Sequence, residues 1–316
     1  VYIRKPEEMA ETIGLGAPAT LALELDSASY SSVKRIAAIF PQAEIANASA
    51  LMRTLRAVKT EAEQQLIRES GIRQEHVYRL IPHLYQTGMS DLELQVEIER
   101  RSRLEGCLGQ FRISGDTMEL YMGNVLTGDN ADSPTPYDFA MGGRGLNPSL
   151  PVGCDGSIIE PGHSVMVDMN GDYTGYMTDM TRTFRVGSLE PLAVKAHQCS
   201  IDIVHALADR ARPEVEAKEL YRLAEAMATE AGLKEYFMGH RQKAGFVGHG
   251  LGIEINELPV IAPRSRDIIA DGNVIAFEPK FVIPGVGAVG IENTYIIHAD
   301  SAECVTSAPE ELIDLQ

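Results

Sequence analysis

The residues of this chain best suited to chemistry are Asp168, Asp179, His249, Glu278 and Glu292. They lie in three segments, VDMNGDYTGYMTDMTRTF, FVGHGLGIEINELP and AFEPKFVIPGVGAVGIENTYII. Four carboxylates and an imidazole, if brought together, offer enough oxygen and nitrogen donors for two divalent ions, the inventory of a dinuclear metallohydrolase. Asp168 and Asp179 are eleven residues apart, with Asn170, Gly171 and Gly175 between them. That spacing predicts a β-hairpin turning near Asn170-Gly171-Asp172, with both carboxylates at one level of a sheet. Glu278 and Glu292 are fourteen apart across Pro284-Gly285-Val286-Gly287, which reads as a second hairpin with a second acid pair. His249 stands between Gly248 and Gly250, and glycines there let a ligand or substrate approach the backbone closely. A charge in an apolar strand is costly unless paired or coordinated. Arg182 is a candidate partner for one carboxylate only, and four inward acids would repel one another without a cation.

The elements that must position these residues can be read around them. Thr60-Glu61-Ala62-Glu63 and Ser90-Asp91-Leu92-Glu93 are capping boxes. They open the helices EAEQQLIRESGIRQEHVYRLIPHL and DLELQVEIERRSRLEG. The stretch 129–156, rich in Gly, Pro, Ser and Asp, reads as a long surface or active-site loop. Two strand-like runs follow it. A helix begins at Glu190-Pro191, with Pro in its first turn, and EAKELYRLAEAMATEAG forms another. The remainder is mostly strand. Helix pair then strand pair thus occurs twice, which predicts a pseudo-symmetric α+β domain over residues 56–316. Residues 1–55 alternate short strands and helices over too short a length for an α/β domain, which needs ~100 residues. They are expected to be the tail of a truncated domain.

The 316 residues carry a formal net charge of −17. This argues against nucleic acid or an anionic membrane as a main partner, because phosphate binding needs clustered Lys and Arg. Bound cations would cancel part of the charge. No run of about 18 apolar residues exists to span a membrane. Cys107, Cys154, Cys199 and Cys304 form no CxxC pair and fit free thiols in a reducing, cytoplasmic compartment. There is no GxSxG elbow and no HExxH helix. The remaining histidines are read as structural or solvated, with His240, in FMGHRQKAGF, the nearest in sequence to the site.

The three segments resemble the pita-bread metallopeptidase family of prolidases, aminopeptidases P, methionine aminopeptidases and creatinase. VDMNGDYTGYMTDMTRTF is similar to the family's Asp–x10–Asp hairpin, GHGLGIE to its metal-histidine motif, and FEP…GIEN to its Glu–x13–Glu hairpin. The resemblance covers about residues 57–316. It implies the pita-bread fold, with helix pairs on a curved, mostly antiparallel sheet, preceded by the end of a creatinase-like N-terminal domain. It implies two divalent ions, manganese, cobalt, iron or zinc. Asp179 and Glu292 would bridge them. Asp168 would bind one ion, and His249 with Glu278 the other. Glu278 would also act as general base toward a bridging water that attacks an amide bond of a small substrate. A homodimer is likewise implied.

The pattern departs from the family at four places. Val152 stands where a histidine follows Pro in the loop before the first Asp, and Asn256 replaces the histidine of a His-Glu pair. Both positions are expected to contact substrate. Val donates no hydrogen bond, and Asn cannot shuttle a proton near pH 7. Removing one oxyanion donor costs ~10²–10³ in rate. Gly290 replaces an arginine before the last Glu, and Lys280 rather than Gly follows Glu278-Pro279. The expectation is a metal-dependent hydrolase resembling Xaa-Pro dipeptidase or aminopeptidase P. The alternatives are a non-peptidase member (a creatinase-like amidinohydrolase or another small-amide hydrolase) and a non-catalytic binding protein on the same fold.

Overall fold

The computed structural model describes Lys5, residues 8–12, Gly14, Gly16, residues 18–113, residues 122–137, Phe139 and residues 141–315. The chain divides into two compact units, one running to Arg56 and the other beginning at Ala57. The first holds α1 (Met9–Thr12), β1 (Thr20–Leu23), α2 (Tyr30–Ile39), β2 (Glu44–Asn47) and most of α3 (Ser49–Ala57). β1 and β2 pair in parallel, Thr20 opposite Glu44, so α2 is the crossover of a βαβ turn of chain. The Ser29 side chain caps α2 by accepting the Ser32 N–H. No residue of α2 is buried.

The second unit opens with α4 (Glu61–Leu84) and α5 (Asp91–Leu104). Both predicted capping boxes are present, Thr60 with Glu63 and Ser90 with Glu93. Next come β3 (Gly123–Thr127), β4 (Ser164–Asp172) and β5 (Met177–Arg185). Two further helices follow, α6 (Pro191–Arg210) and α7 (Ala217–Glu230), then β6 (Gly248–Gly250) and β7 (Glu257–Val260). The chain continues with β8 (Val274–Phe277), β9 (Lys280–Ile283), β10 (Gly287–Gly290), β11 (Asn293–Ile297), β12 (Ala302–Cys304) and β13 (Ile313–Asp314).

The helix-pair and sheet arrangement occurs twice, as the sequence predicted. α4 and α5 pack on the sheet β13-β5-β4-β3 around Val77, Ile81, Leu94, Ile98, Val165, Val167 and Phe184. α6 and α7 pack around Ile203, Leu207, Leu220, Ala224, Ile275, Phe277 and Phe281, against the second group of strands. The sheet there runs β12-β11-β8-β6-β7, with β9 and β10 as a separate pair. Apart from the parallel β13–β5 contact, the strand pairs of this unit are antiparallel. Among the described residues no helix is long and apolar enough to cross a membrane.

The first hairpin is longer than expected. β4 continues through Asn170-Gly171-Asp172, and the turn falls at Tyr173–Tyr176, where Gly175 has φ +89°. Asp172 fixes that turn by accepting the Gly175 N–H through Oδ1 at 2.9 Å. α4 fastens the hairpin from behind. The Tyr78 hydroxyl donates to Met180 O and accepts the Met169 N–H, while Gln74 donates to Met169 O and accepts from Thr178 Oγ1.

Candidate metal centre

The two acid hairpins meet edge to edge. Thr181 of β5 and Glu292 exchange backbone hydrogen bonds at 3.4 and 3.1 Å. Asp168 lies opposite Thr181, and Asp179 opposite Asn170. The two aspartates are therefore diagonal neighbours on one face of the sheet, not a directly opposed pair. Glu278 and Glu292 sit at the corners of the second hairpin. Glu278-Pro279 links β8 to β9, and Ile291-Glu292 links β10 to β11, so each leg changes sheet at its glutamate. The structure brings all five expected metal-binding side chains together, each between 1% and 7% exposed. The first half of the unit supplies the aspartates, and the second supplies His249 and both glutamates.

The glycines flanking His249 serve the sheet. β6 is the strand between β8 and β7. A Cβ on Gly248 would lie 2.4 Å from Ala276 O, and one on Gly250 only 2.1 Å from Leu258 O. They permit close strand approach around the histidine, where a close approach of substrate was expected. His249 Nδ1 lies 3.1 Å from Gly250 O. A carbonyl only accepts, so Nδ1 carries a proton and Nε2 faces the acids. Nε2 is 3.2 Å from Glu278, 3.8 Å from Asp179 and 4.0 Å from Glu292. The Phe246 ring stands edge-on to the imidazole, 5.8 Å between centroids.

Two sets of ligand atoms within 4.8 Å of one another result. One is formed by Asp179, His249 and Glu292, the other by Asp168, Glu278 and Glu292. They differ in what already faces them. Lys280 is completely buried, and its Nζ donates to Asp168 Oδ2 at 2.7 Å, Glu278 Oε2 at 2.8 Å and Glu292 Oε2 at 3.3 Å. The second set is therefore closed around an ammonium group. In the first set, Glu292 Oε1 is buried with no hydrogen-bond partner, although Thr181 Oγ1 and Lys280 both serve its other oxygen. A buried carboxylate oxygen is costly to leave unmatched. Its orientation toward Asp179 and His249 fits a cation held by those three residues.

The electrostatics follow the same division. Burial, with the carboxylates of Glu292, Asp168 and Glu278 around it, pushes Asp179 well above the usual range. Burial and the Glu278 carboxylate push Glu292 up to about 8. Burial opposes ionisation of Glu278 too, but Lys280 and His249 outweigh it and draw that carboxyl down to about 2. Burial likewise disfavours charge on Lys280 and His249. The acids around each outweigh it, and both are raised.

Arg182 is not the acids' partner. Its guanidinium donates to the carbonyls of Thr181, Glu292, Thr306, Ala308 and Pro309 and to Asn293 Oδ1. Lys280 is the cation among the carboxylates. The sequence carried a signal for it, since in FEPKF a lysine stands two residues from Glu278 in an otherwise apolar run. A cavity of about 30 Å³ opens onto Asp168, Asp179, His249 and Glu278, walled by Phe111, Phe139, Phe246, Ile255 and Asn256. Asn256 lines this cavity beside the acids. Val152 lies elsewhere. It is 5% exposed and lines a different cavity with Leu92, Gln95 and Asn124, because its loop folds back through Gly145 N–H to Gly153 O and Gly153 N–H to Gly142 O. His240 pairs with Asp132 at 2.9 Å, away from the acids.

A sequence profile of metallopeptidase family M24 matches residues 65–299. An uncharacterized peptidase of Bacillus subtilis (strain 168), YqhT, is 28% identical over 296 residues, 93% of this chain and 75% of the relative. An Xaa-Pro dipeptidase of Lactobacillus delbrueckii subsp. lactis is 26% identical over 292 residues, 92% and 71% of the two chains. Among solved structures, an Xaa-Pro dipeptidase from Bacillus anthracis superposes with a TM-score of 0.80 at 27% identity, over 98% of this chain and 78% of that one. An X-Pro aminopeptidase from Thermotoga maritima MSB8 has a TM-score of 0.78 at 20% identity, over 98% and 78%, and bears on the fold alone.

Proposed function

The chain belongs to metallopeptidase family M24 and has its pita-bread fold, and on that premise we propose that it is a metal-dependent hydrolase cleaving an amide bond of a small peptide, in the manner of an Xaa-Pro dipeptidase. The observation that carries this reading is the convergence of Asp179, His249 and Glu292 with one buried glutamate oxygen unmatched. A divalent ion held there supplies Lewis acidity toward a carbonyl and makes water a nucleophile at neutral pH. The protein's own groups do the rest. Glu278, kept ionised by Lys280, accepts the proton of the attacking water. His249 is fixed in its tautomer by Gly250 O. The phenylalanines exclude bulk water, and Asn256 offers an amide to the substrate.

The names of the dipeptidase relatives support peptides among small amides. The four free cysteines, three of them buried, support a reducing, cytoplasmic setting. We read the first unit as the end of a creatinase-like N-terminal domain, on its βαβ pairing, and the functional protein as a homodimer, on family resemblance. A non-peptidase small-amide substrate is the second reading. It is favoured by Asn256 at the cavity wall, where an Xaa-Pro peptidase would have a histidine.

The test is hydrolysis of a panel of Xaa-Pro dipeptides and tripeptides by protein equilibrated with manganese or cobalt. Turnover that chelator abolishes and metal restores is the expected result. Its absence in metal-loaded protein would move the substrate away from Xaa-Pro peptides to other small amides.

A further inference from the structure

The family's pattern calls for two ions, and the donor set fits only one of the two positions. Each of Asp168, Glu278 and Glu292, the three residues of the second set, gives one oxygen to Lys280 Nζ, at 2.7, 2.8 and 3.3 Å. An ammonium group has three donors, and here each has a carboxylate oxygen. A transition-metal ion in the same place would need those oxygens at ~2.0–2.2 Å, and a charged hydrogen bond holds them at ~2.7–2.9 Å. Ion and ammonium therefore cannot share the position. Lys280 is held away from water. Its residue is fully buried, β9 pairs it with Gly290, and its N–H donates to Met238 Sδ. Expelling the ammonium would leave a buried charge without a partner. Among the described residues no lysine or arginine pairs with Asp179 or with Glu292 Oε1 at the other position, and Glu292 Oε1 is left unmatched there.

We propose that Lys280 replaces one ion of the pair, so that the chain holds a single divalent cation between Asp179, His249 and Glu292. This rests on the metal-dependent reading above and deepens it. Asp168 then serves the lysine and not an ion. The ammonium differs from an ion in function as well as charge. An ion has exchangeable coordination positions for a substrate atom, whereas the ammonium's three donors are consumed by the protein. Substrate polarisation then falls to one cation, and Lys280 acts as a positioning residue for Glu278 and Glu292.

The experiment is to strip the whole chain with chelator, equilibrate it with MnCl2, and count bound manganese by mass spectrometry alongside its electron paramagnetic resonance spectrum. One ion per chain with the signal of an isolated centre is expected. Lys280→Gly, checked by circular dichroism for folding, should take up a second ion and show an exchange-coupled signal. Asp168→Asn should keep the one ion, and Asp179→Asn should lose it. These two counts, with that of the unmodified chain, decide the matter if Lys280→Gly does not fold. Two coupled ions in the unmodified protein, or loss of an ion in Asp168→Asn, would overturn the proposal. Zero ions in both the unmodified protein and folded Lys280→Gly would overturn the metal-dependent reading with it.

Discussion

Arg182 and Lys280 are both long cations buried beside the same glutamate, yet their roles differ because of what each side chain can satisfy. The guanidinium is a fixed fork of five donors, and Arg182 spreads them over five backbone carbonyls and an amide. It thereby ties β5 to the segment 306–309. The ammonium is a compact point charge with three donors, suited to a knot of carboxylate oxygens. Replacing Arg182 by Met would leave several buried carbonyls without donors. Loss of stability by about 3–5 kcal/mol is expected in denaturant unfolding. Arg182→Lys should recover only part of it, since an ammonium cannot reach that many acceptors. A loss below about 1 kcal/mol would mean that water replaces the fork.

Among the elements, β6 is three residues long and lies between β8 and β7. Its two glycines let the neighbouring strands approach closely on either side of His249. Gly250→Ala would put a methyl carbon 2.1 Å from Leu258 O, and the carbonyl that would have to retreat is backbone. Separation of β6 from β7 should cost about 1–3 kcal/mol and weaken manganese binding by moving the imidazole. Gly175→Ala is the control. Its backbone has φ +89° but nothing lies within 4 Å of the added carbon, so it should cost about 1–2 kcal/mol of backbone strain with manganese affinity unchanged. Equal effects of the two substitutions on affinity would remove the packing explanation for Gly250.

For the molecule as a whole, stability against pH should carry the mark of His197. It lies in α6, 3% exposed, and its Nε2 is 2.8 Å from Glu310 O. Nε2 therefore donates, and Nδ1 is buried with no partner. Burial draws its pKa from 6.5 down to about 4, since a second proton would have no acceptor. Between those values the unfolded chain binds a proton that the folded chain does not. The contribution is complete above about pH 6.5 and falls as pH drops toward 4, by about 3 kcal/mol in total. Unfolding free energies from pH 7 to 4 should decline less steeply in His197→Gln than in the unmodified protein. Parallel curves would show that His197 titrates normally.

What the sequence determined by itself was local. Two capping boxes set the starts of α4 and α5, because the bonds that define them join residues three apart. Two hairpins with paired acids were legible from spacing, and the five donors from their types, since a strand's period of two fixes which residues share a face. The tertiary structure decided whatever depends on partners distant in the chain. It made the two aspartates diagonal, because the register extends β4 past Gly171. It moved Val152 to another cavity, because the glycines of its loop fold it back. It gave the glycines beside His249 to neighbouring strands, which no local pattern identifies. Above all, it set the lysine two residues beyond Glu278 among oxygens from Asp168 and Glu292. That meeting requires the bridge between Thr181 and Glu292, which forms only when the two halves pack together.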